Sequence, residues 1–329
     1  MRAALERTLA GVAQLTYLPE LDADRRRAAL AQAHAVLAWS IGEELGEELR
    51  ELRAGTLLQL LSAGVDHVPF ALLPDRVSVA SNAGAYAEPM AEHVLALALA
   101  LAKRLPQNHA ALRRGAFDQE TPTRAIRGAL VGILGFGGIG QASARLFRAL
   151  GARVFAINRS GRTAERVERI GTLAELDAVL AAADIVVIAL PLTRATEGLI
   201  GARELALMKP DAIIINVARG AIIDEDALYE RLRRTPSFQA GIDAWWQEPR
   251  RQGSFATRHP FLELPNVLGS PHNSAMTPGT LEEASRRAAE NIARHLRGEE
   301  VRNLVDPAEY LRSSGPAGAR SSPLARRGP

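Results

Sequence analysis

The chain has no cysteine among its 329 residues. A disulfide framework, a thiol nucleophile and a thiolate metal site are therefore excluded, and no metal is expected. A reducing, cytoplasmic location fits that lack. No N-terminal stretch joins a basic start to an apolar core, so no secretory signal is expected. Long apolar runs are missing too. Residues 94–102 form a marked one, but it falls well short of the ~20 residues that cross a bilayer. Charge of one sign is also scarce. The formal net charge is +3, and residues 312–329 hold four arginines and no acid, which leaves the rest at −1. Neither a nucleic-acid partner nor a membrane partner is expected from that balance. What is present, 47% apolar and 23% charged residues, suits a globular chain long enough for two domains.

The chain is organised around residues 129–151, ALVGILGFGGIGQASARLFRALG. A short apolar run of strand type precedes Gly135, Gly137 and Gly140, which form G-x-G-x-x-G. A helical pattern then runs to Gly151. The first glycine allows a tight turn and the second lets a pyrophosphate approach the backbone. The third lets helix and strand pack closely. The helix start at Gly138 and Ile139 attracts phosphate. Between a strand and a helix, this motif points to a dinucleotide more than to a structural turn.

Upstream, helical patterns at 1–10 and 43–53 alternate with strand-like runs at 13–17, 36–39, 56–61 and 77–80, as in a small α/β domain. Asp22 or Asp24 can cap a helix reaching residue 33. Residues 89–105 read as a buried helix joining two domains, with a subunit interface, and so a homodimer, as an addition. Downstream, strands are expected at 153–158, 184–190, 212–217, 238–242 and 267–269. Helices are expected at 173–182, 224–233 and 281–296. The tail from residue 311 is rich in Ser, Gly, Pro and Arg and is expected to be disordered. Arg219, Asp243 and His272 each follow a strand of one sheet, and Glu248 comes soon after Asp243. Each alone has an ordinary reading, but together they mark one edge where α/β sheets bind ligands.

With these residues in place, the chain resembles the D-isomer-specific 2-hydroxyacid dehydrogenases. The matching stretches are SAGVDHV (62–68), N-x-G with AEHVLAL (82–97), GILGFGGIG (132–140), ALPLTRATEGLIG (189–201), INVARGAIIDEDAL (215–228), GIDAWWQEP (241–249), SPHNSAMT (270–277) and GEEVRNLV (298–305). The resemblance implies an α/β fold with a Rossmann doubly wound cofactor domain (96–286) and a smaller flavodoxin-like substrate domain (1–95 and 287–310). It implies a catalytic trio of Arg219, Glu248 and His272 acting on a small 2-oxo or 2-hydroxy acid. Arg219 clamps the carboxylate. His272 moves the proton, and Glu248 favours its imidazolium form. The resemblance also places the N–H groups of Ala63, Gly64 and Val65 on the substrate carboxylate. Asp243 and the Ala218 carbonyl fall on the nicotinamide amide, with Pro191 and Val217 lining the cofactor. His67 reads as a residue of the site's mouth and His93 as helix packing. Tyr86, Trp245 and Trp246 line an apolar pocket or pack in the core.

Two departures stand out. An NAD site carries an acid near the end of the second strand, but here Asn158, Arg159 and Ser160 stand there. They suit a 2′-phosphate, so NADP is the expected cofactor, with NAD possible. The alternative is that Arg159 and Arg162 are solvated loop charges. The family also begins with a strand before its first helix, whereas this sequence begins inside that helix. The expected activity is reduction of an acid such as glyoxylate or hydroxypyruvate. The alternative is a cofactor-sensing, corepressor-like protein on the same fold.

Overall fold

Short β-branched and leucine-rich runs set the strands, and the helical patterns between them set the crossovers. The computed structural model describes residues 1–310. The expected tail from residue 311 lies outside the described residues. In chain order the first elements are α1 (Arg2–Leu9), α2 (Ala23–Gln32), β1 (Ala35–Ala38), α3 (Ile41–Glu44), β2 (Leu57–Leu60) and β3 (Ser78–Ala80). Helices α4 (Ala87–Ala102) and α5 (Leu105–Arg113) lead to β4 (Leu130–Leu134), α6 (Gly138–Ala149), β5 (Arg153–Ile157) and β6 (Arg169–Gly171). Then follow α7 (Leu176–Ala182), β7 (Ile185–Ile188), α8 (Ala202–Leu207), β8 (Ile213–Asn216) and α9 (Glu225–Arg234). The last elements are β9 (Gln239–Ile242), α10 (Pro249–Gln252), β10 (Val267–Gly269) and α11 (Thr280–Leu296).

Two parallel sheets result. The smaller runs β1-β2-β3 and the larger runs β10-β9-β8-β7-β4-β5-β6. The larger order reverses direction beside β4, which opens a crevice between β4 and β7 at their carboxyl ends. Strands β4, β7, β8 and β9 are buried along their whole length, as expected of strands covered on both faces. On one face, Val94, Leu97 and Leu101 of α4 pack with Val131 and Ile215. On the other, Val179, Leu205 and Leu228 pack with Val186 and Ile214. Helix α11 returns to the smaller sheet, where Ala289 and Ile292 pack with Leu57, Ala80 and Leu9. Buried Asn291 donates to Gln59 Oε1 at 2.6 Å, which satisfies a polar group inside that junction.

Three local expectations change. Residues 13–17 join no sheet; Ala13 and Leu15 instead pack beside the α1–α11 cluster. The helix expected over 43–53 is divided, because Gly46 takes φ +50° and begins a 3-10 stretch, Gly46–Glu51. Its missing Cβ makes that conformation accessible. Helix α4 stops where Arg104 adopts φ +53°, and α5 begins anew.

Candidate active site

The glycine turn is built by exclusion of side chains. Gly135 has φ +97°, and a Cβ there would collide with the Ala189 carbonyl. A Cβ on Gly140 would collide with the Gly135 carbonyl, and one on Gly138 would lie 2.8 Å from Gly84 Cα. Gly137 differs: a Cβ there would meet nothing within 4 Å. Its open side faces the cleft, as do Gly138 and Ile139 at the start of α6. First-turn N–H groups of a helix lack intrahelical partners, so this cradle fits a pyrophosphate. Across the crevice, Pro191 lines the same cleft, and its carbonyl accepts from Thr196 Oγ1 at 2.6 Å.

At the end of β5, Asn158 closes its own loop. Its Nδ2 donates to the Arg162 carbonyl at 2.8 Å, and its Oδ1 accepts from the Gly161 N–H at 2.7 Å. Arg159 and Ser160 line the cleft. The Arg159 side chain is 82% exposed and pairs with Glu309 at 2.8 Å.

Arg219 follows β8. Its Nε donates to Asp66 Oδ1 at 3.1 Å, and its Nη1 donates to the Ala218 carbonyl at 2.7 Å. A Cβ on Gly64 would collide with its Nη2. The guanidinium therefore lies on the bare backbone of the loop after β2. Ala63, Gly64 and Val65 line the cleft beside it. Their N–H groups take no acceptor among the described residues, which leaves them able to bind an anion. Val217 and Ala218 line the cleft at the end of β8.

His272 stands beyond β10 with φ +51°. Its Nδ1 lies 2.8 Å from both Oε1 and Oε2 of Glu248. Oε1 also accepts from the Trp245 N–H at 2.8 Å. Burial pushes the Glu248 carboxyl up, but hydrogen bonding and charge from His272 outweigh it. The Trp245 N–H and the Arg219 charge add to that effect, and the group lies below the usual carboxylate range. The His272 side chain is 31% exposed. Its Nε2 has no hydrogen-bond partner among the described residues, and His272 lines the cleft with Arg219 and Glu248.

Asp243 does not join this surface. It is 0% exposed, and its carboxylate is held by the loop after β10. Its Oδ1 accepts from Ser270 Oγ at 2.6 Å and from the Asn273 N–H at 3.2 Å, and its Oδ2 from the Ser274 N–H at 3.3 Å. Burial raises the carboxyl, but bonds from Ser270 and Ser274 and the nearby His93 and His272 hold it below its ordinary value. His93 is more than helix packing: its Nε2 lies 2.8 Å from Ser270 Oγ and 3.7 Å from Asp243 Oδ1. This network sets the loop that presents His272. Trp245 lines the cleft and its Nε1 donates to the Ser270 carbonyl, whereas Trp246 packs against the core with its Nε1 donating to the Ile223 carbonyl. Tyr86 donates its hydroxyl to the Leu61 carbonyl at 2.7 Å, and burial pushes its ionisation up to about 12. Sequence reasoning gave no role to Asp66 or Glu309. Asp66 lay within SAGVDHV, whereas Glu309 carried no local signal.

The cleft between the sheets has a volume of about 2490 Å³. Ligand pockets are commonly about 300–1,000 Å³, so a dinucleotide and a small acid fit together.

The model of the D-isomer specific 2-hydroxyacid dehydrogenase family, NAD binding domain, matches residues 95–274. The chain is 33% identical to glyoxylate/hydroxypyruvate reductase B of Pectobacterium carotovorum subsp. carotovorum (strain PC1), over 90% of its own length and 91% of that protein's. It is 34% identical to the D-3-phosphoglycerate dehydrogenase of Methanocaldococcus jannaschii over 74% of its own length. It spans only 46%, about half, of that longer protein. A solved D-isomer specific 2-hydroxyacid dehydrogenase from Xanthobacter autotrophicus Py2, in complex with NADPH and MES, superposes with a TM-score of 0.74. It has 29% identity, and the match covers 94% of this chain and 96% of that one.

The Asp243 network generates a pH dependence. A carboxyl whose folded pKa is depressed stabilises the fold fully above its ordinary value, here 3.8, and loses that contribution as pH falls through the folded value. Asp243→Asn should cost about 1.5–3 kcal/mol at neutral pH. The gap to wild type should narrow as pH drops below 3.8. Denaturant titrations across that range check it; a gap that stays constant with pH would remove the charged network from the account.

Proposed function

The chain belongs to the D-isomer specific 2-hydroxyacid dehydrogenases, and on that premise we propose that it reduces small 2-oxo acids to D-2-hydroxy acids with NADPH. The observation that carries the reading is His272 Nδ1 held between both Glu248 oxygens at 2.8 Å, in one cleft with Arg219. Arg219 and the N–H groups of Ala63, Gly64 and Val65 hold the substrate carboxylate. The Arg219 fork also polarises the neighbouring carbonyl. Bound NADPH supplies the hydride at C2. His272 delivers the proton to the carbonyl oxygen from Nε2, which yields the hydroxyl, and takes it back in the reverse direction. Glu248 acts on Nδ1: its carboxylate accepts a hydrogen bond there and fixes the ring.

Gly137, Gly138 and Ile139 would hold the pyrophosphate, with Gly135 and Gly140 shaping the turn. Arg159 and Ser160 would take a 2′-phosphate, and Asn158 would fix their loop. Two points support NADPH: the lack of an acid on β5, and the NADPH named with the Xanthobacter relative. Glyoxylate and hydroxypyruvate are the favoured substrates, supported by the Pectobacterium relative that matches over nine-tenths of both chains. A Glu–His pair set for proton transfer favours turnover over a sensing role. A homodimer is part of the reading, supported by Leu105 and Leu112 on α5 and Phe117 after it, exposed at 56%, 55% and 76%.

NADPH oxidation with glyoxylate and hydroxypyruvate tests the chemistry. His272→Ala should lower kcat by about 10²–10⁴-fold while NADPH still binds. Full turnover in that variant would remove His272 as the acid, and NADH matching NADPH in kcat/KM would remove the cofactor preference. Light scattering should give twice the chain mass; a monomer at all concentrations would end the dimer proposal.

A further inference from the structure

The end of β5 has no carboxylate of its own, since Asn158 stands there with its side chain turned into its own loop. A carboxylate nevertheless reaches that spot from the other end of the described chain. Glu309 Oε1 lies 2.8 Å from Arg159 Nη2. The segment that carries it starts on the smaller sheet. Leu304 bridges antiparallel to Ala80, and the Val305 N–H donates to the Val79 carbonyl at 2.9 Å. It then crosses to the larger sheet's loops. The Arg194 N–H donates to the Glu309 carbonyl at 3.1 Å, and Arg194 Nη2 donates to the Ala308 carbonyl at 2.5 Å. Tyr310 stacks on Phe70, with ring centroids 5.2 Å apart. Backbone and ring contacts thus seat this strap without the Glu309 side chain, which is free to serve Arg159. Both residues line the cleft.

We propose that Glu309 is a cofactor-selecting residue that competes with the 2′-phosphate of NADP(H) for the Arg159 guanidinium. The inference rests on the reading above that Arg159 receives that phosphate. A 2′-hydroxyl leaves the Arg159–Glu309 pair in place. A 2′-phosphate, which as a monoester carries close to two negative charges at neutral pH, meets an arginine that is already neutralised and a carboxylate beside it. It must displace Glu309 before its oxygens can pair with the guanidinium fork. Glu309 therefore keeps NADH in use and holds the NADPH preference below what Arg159 alone would give. Arg194, another cation beside this strap, holds a main-chain carbonyl and stays in place when the Glu309 side chain is changed.

The test is direct binding, read by nucleotide fluorescence on the full chain. Kd values for NADPH and NADH are measured for wild type, Glu309→Gln, Arg159→Ala and the double variant. Glu309→Gln should tighten NADPH by roughly three- to fivefold, the weight of one exposed ion pair, and should move NADH by less. In the Arg159→Ala background the same change should tighten NADPH by less, since only the repulsion between carboxylate and phosphate is left to remove. If Arg159→Ala weakens NADPH while Glu309→Gln leaves it unchanged or weaker, the role of Glu309 is overturned alone. An equal tightening of both cofactors, or the same tightening without Arg159, also overturns it. If Arg159→Ala leaves the NADPH-to-NADH ratio unchanged, the underlying reading of Arg159 fails.

Discussion

Arg219 rests on a backbone that has no side chain to keep it away. Its Nη2 occupies the space a Cβ on Gly64 would need, and its Nε reaches Asp66 at 3.1 Å. One end of this contact follows β2 of the smaller sheet and the other follows β8 of the larger. The pair is mostly buried, with side-chain exposures of 21% and 6%. Removing one partner of such a pair costs about 3–5 kcal/mol, against about 0–1 kcal/mol for a surface pair. The cleft is therefore joined at its floor by a contact that both lobes must keep.

The rest of the site is arranged around that join. Residues 63–65 and Arg219 line one cleft. His272 enters it from the larger sheet, on a loop set by buried Asp243, Ser270 and His93. Glu248 reaches the same ring from the position just before α10. In the proposed chemistry only the histidine nitrogen and the arginine fork meet the acid. Asp243, Asp66 and Glu248 act by holding them, which suits a site that must be organised before substrate arrives.

The glycine turn and the strand ends were legible because their physics is local. An apolar run followed by spaced glycines leaves few other backbone solutions, and a polar residue after a parallel strand lies at the ligand edge. The limits are equally local. Asp243 also follows a strand, but its carboxylate is engaged by Ser270, Asn273 and Ser274 of the loop after β10, some way along the chain. The break at Gly46 looked like helix because its neighbours are good helix formers. The three-residue β6 and six-residue α8 are too short for periodicity to reveal. Glu309 was invisible for a different reason: its partner Arg159 is set by the crossing of a terminal strap, which no spacing rule encodes.

The central claim is that the bare backbone at Gly64 seats the carboxylate clamp. Gly64 needs no left-handed conformation, so alanine there is opposed by the Arg219 guanidinium and by its partner carboxylate, Asp66 Oδ1, at 3.0 Å. The most direct measurement is binding of oxamate, a non-reacting 2-oxo acid analogue, to the NADPH complex of Gly64→Ala by calorimetry. The account predicts that oxamate affinity falls at least about tenfold, the loss of one charge-assisted contact, while NADPH affinity holds. Wild-type oxamate affinity in that variant would contradict it.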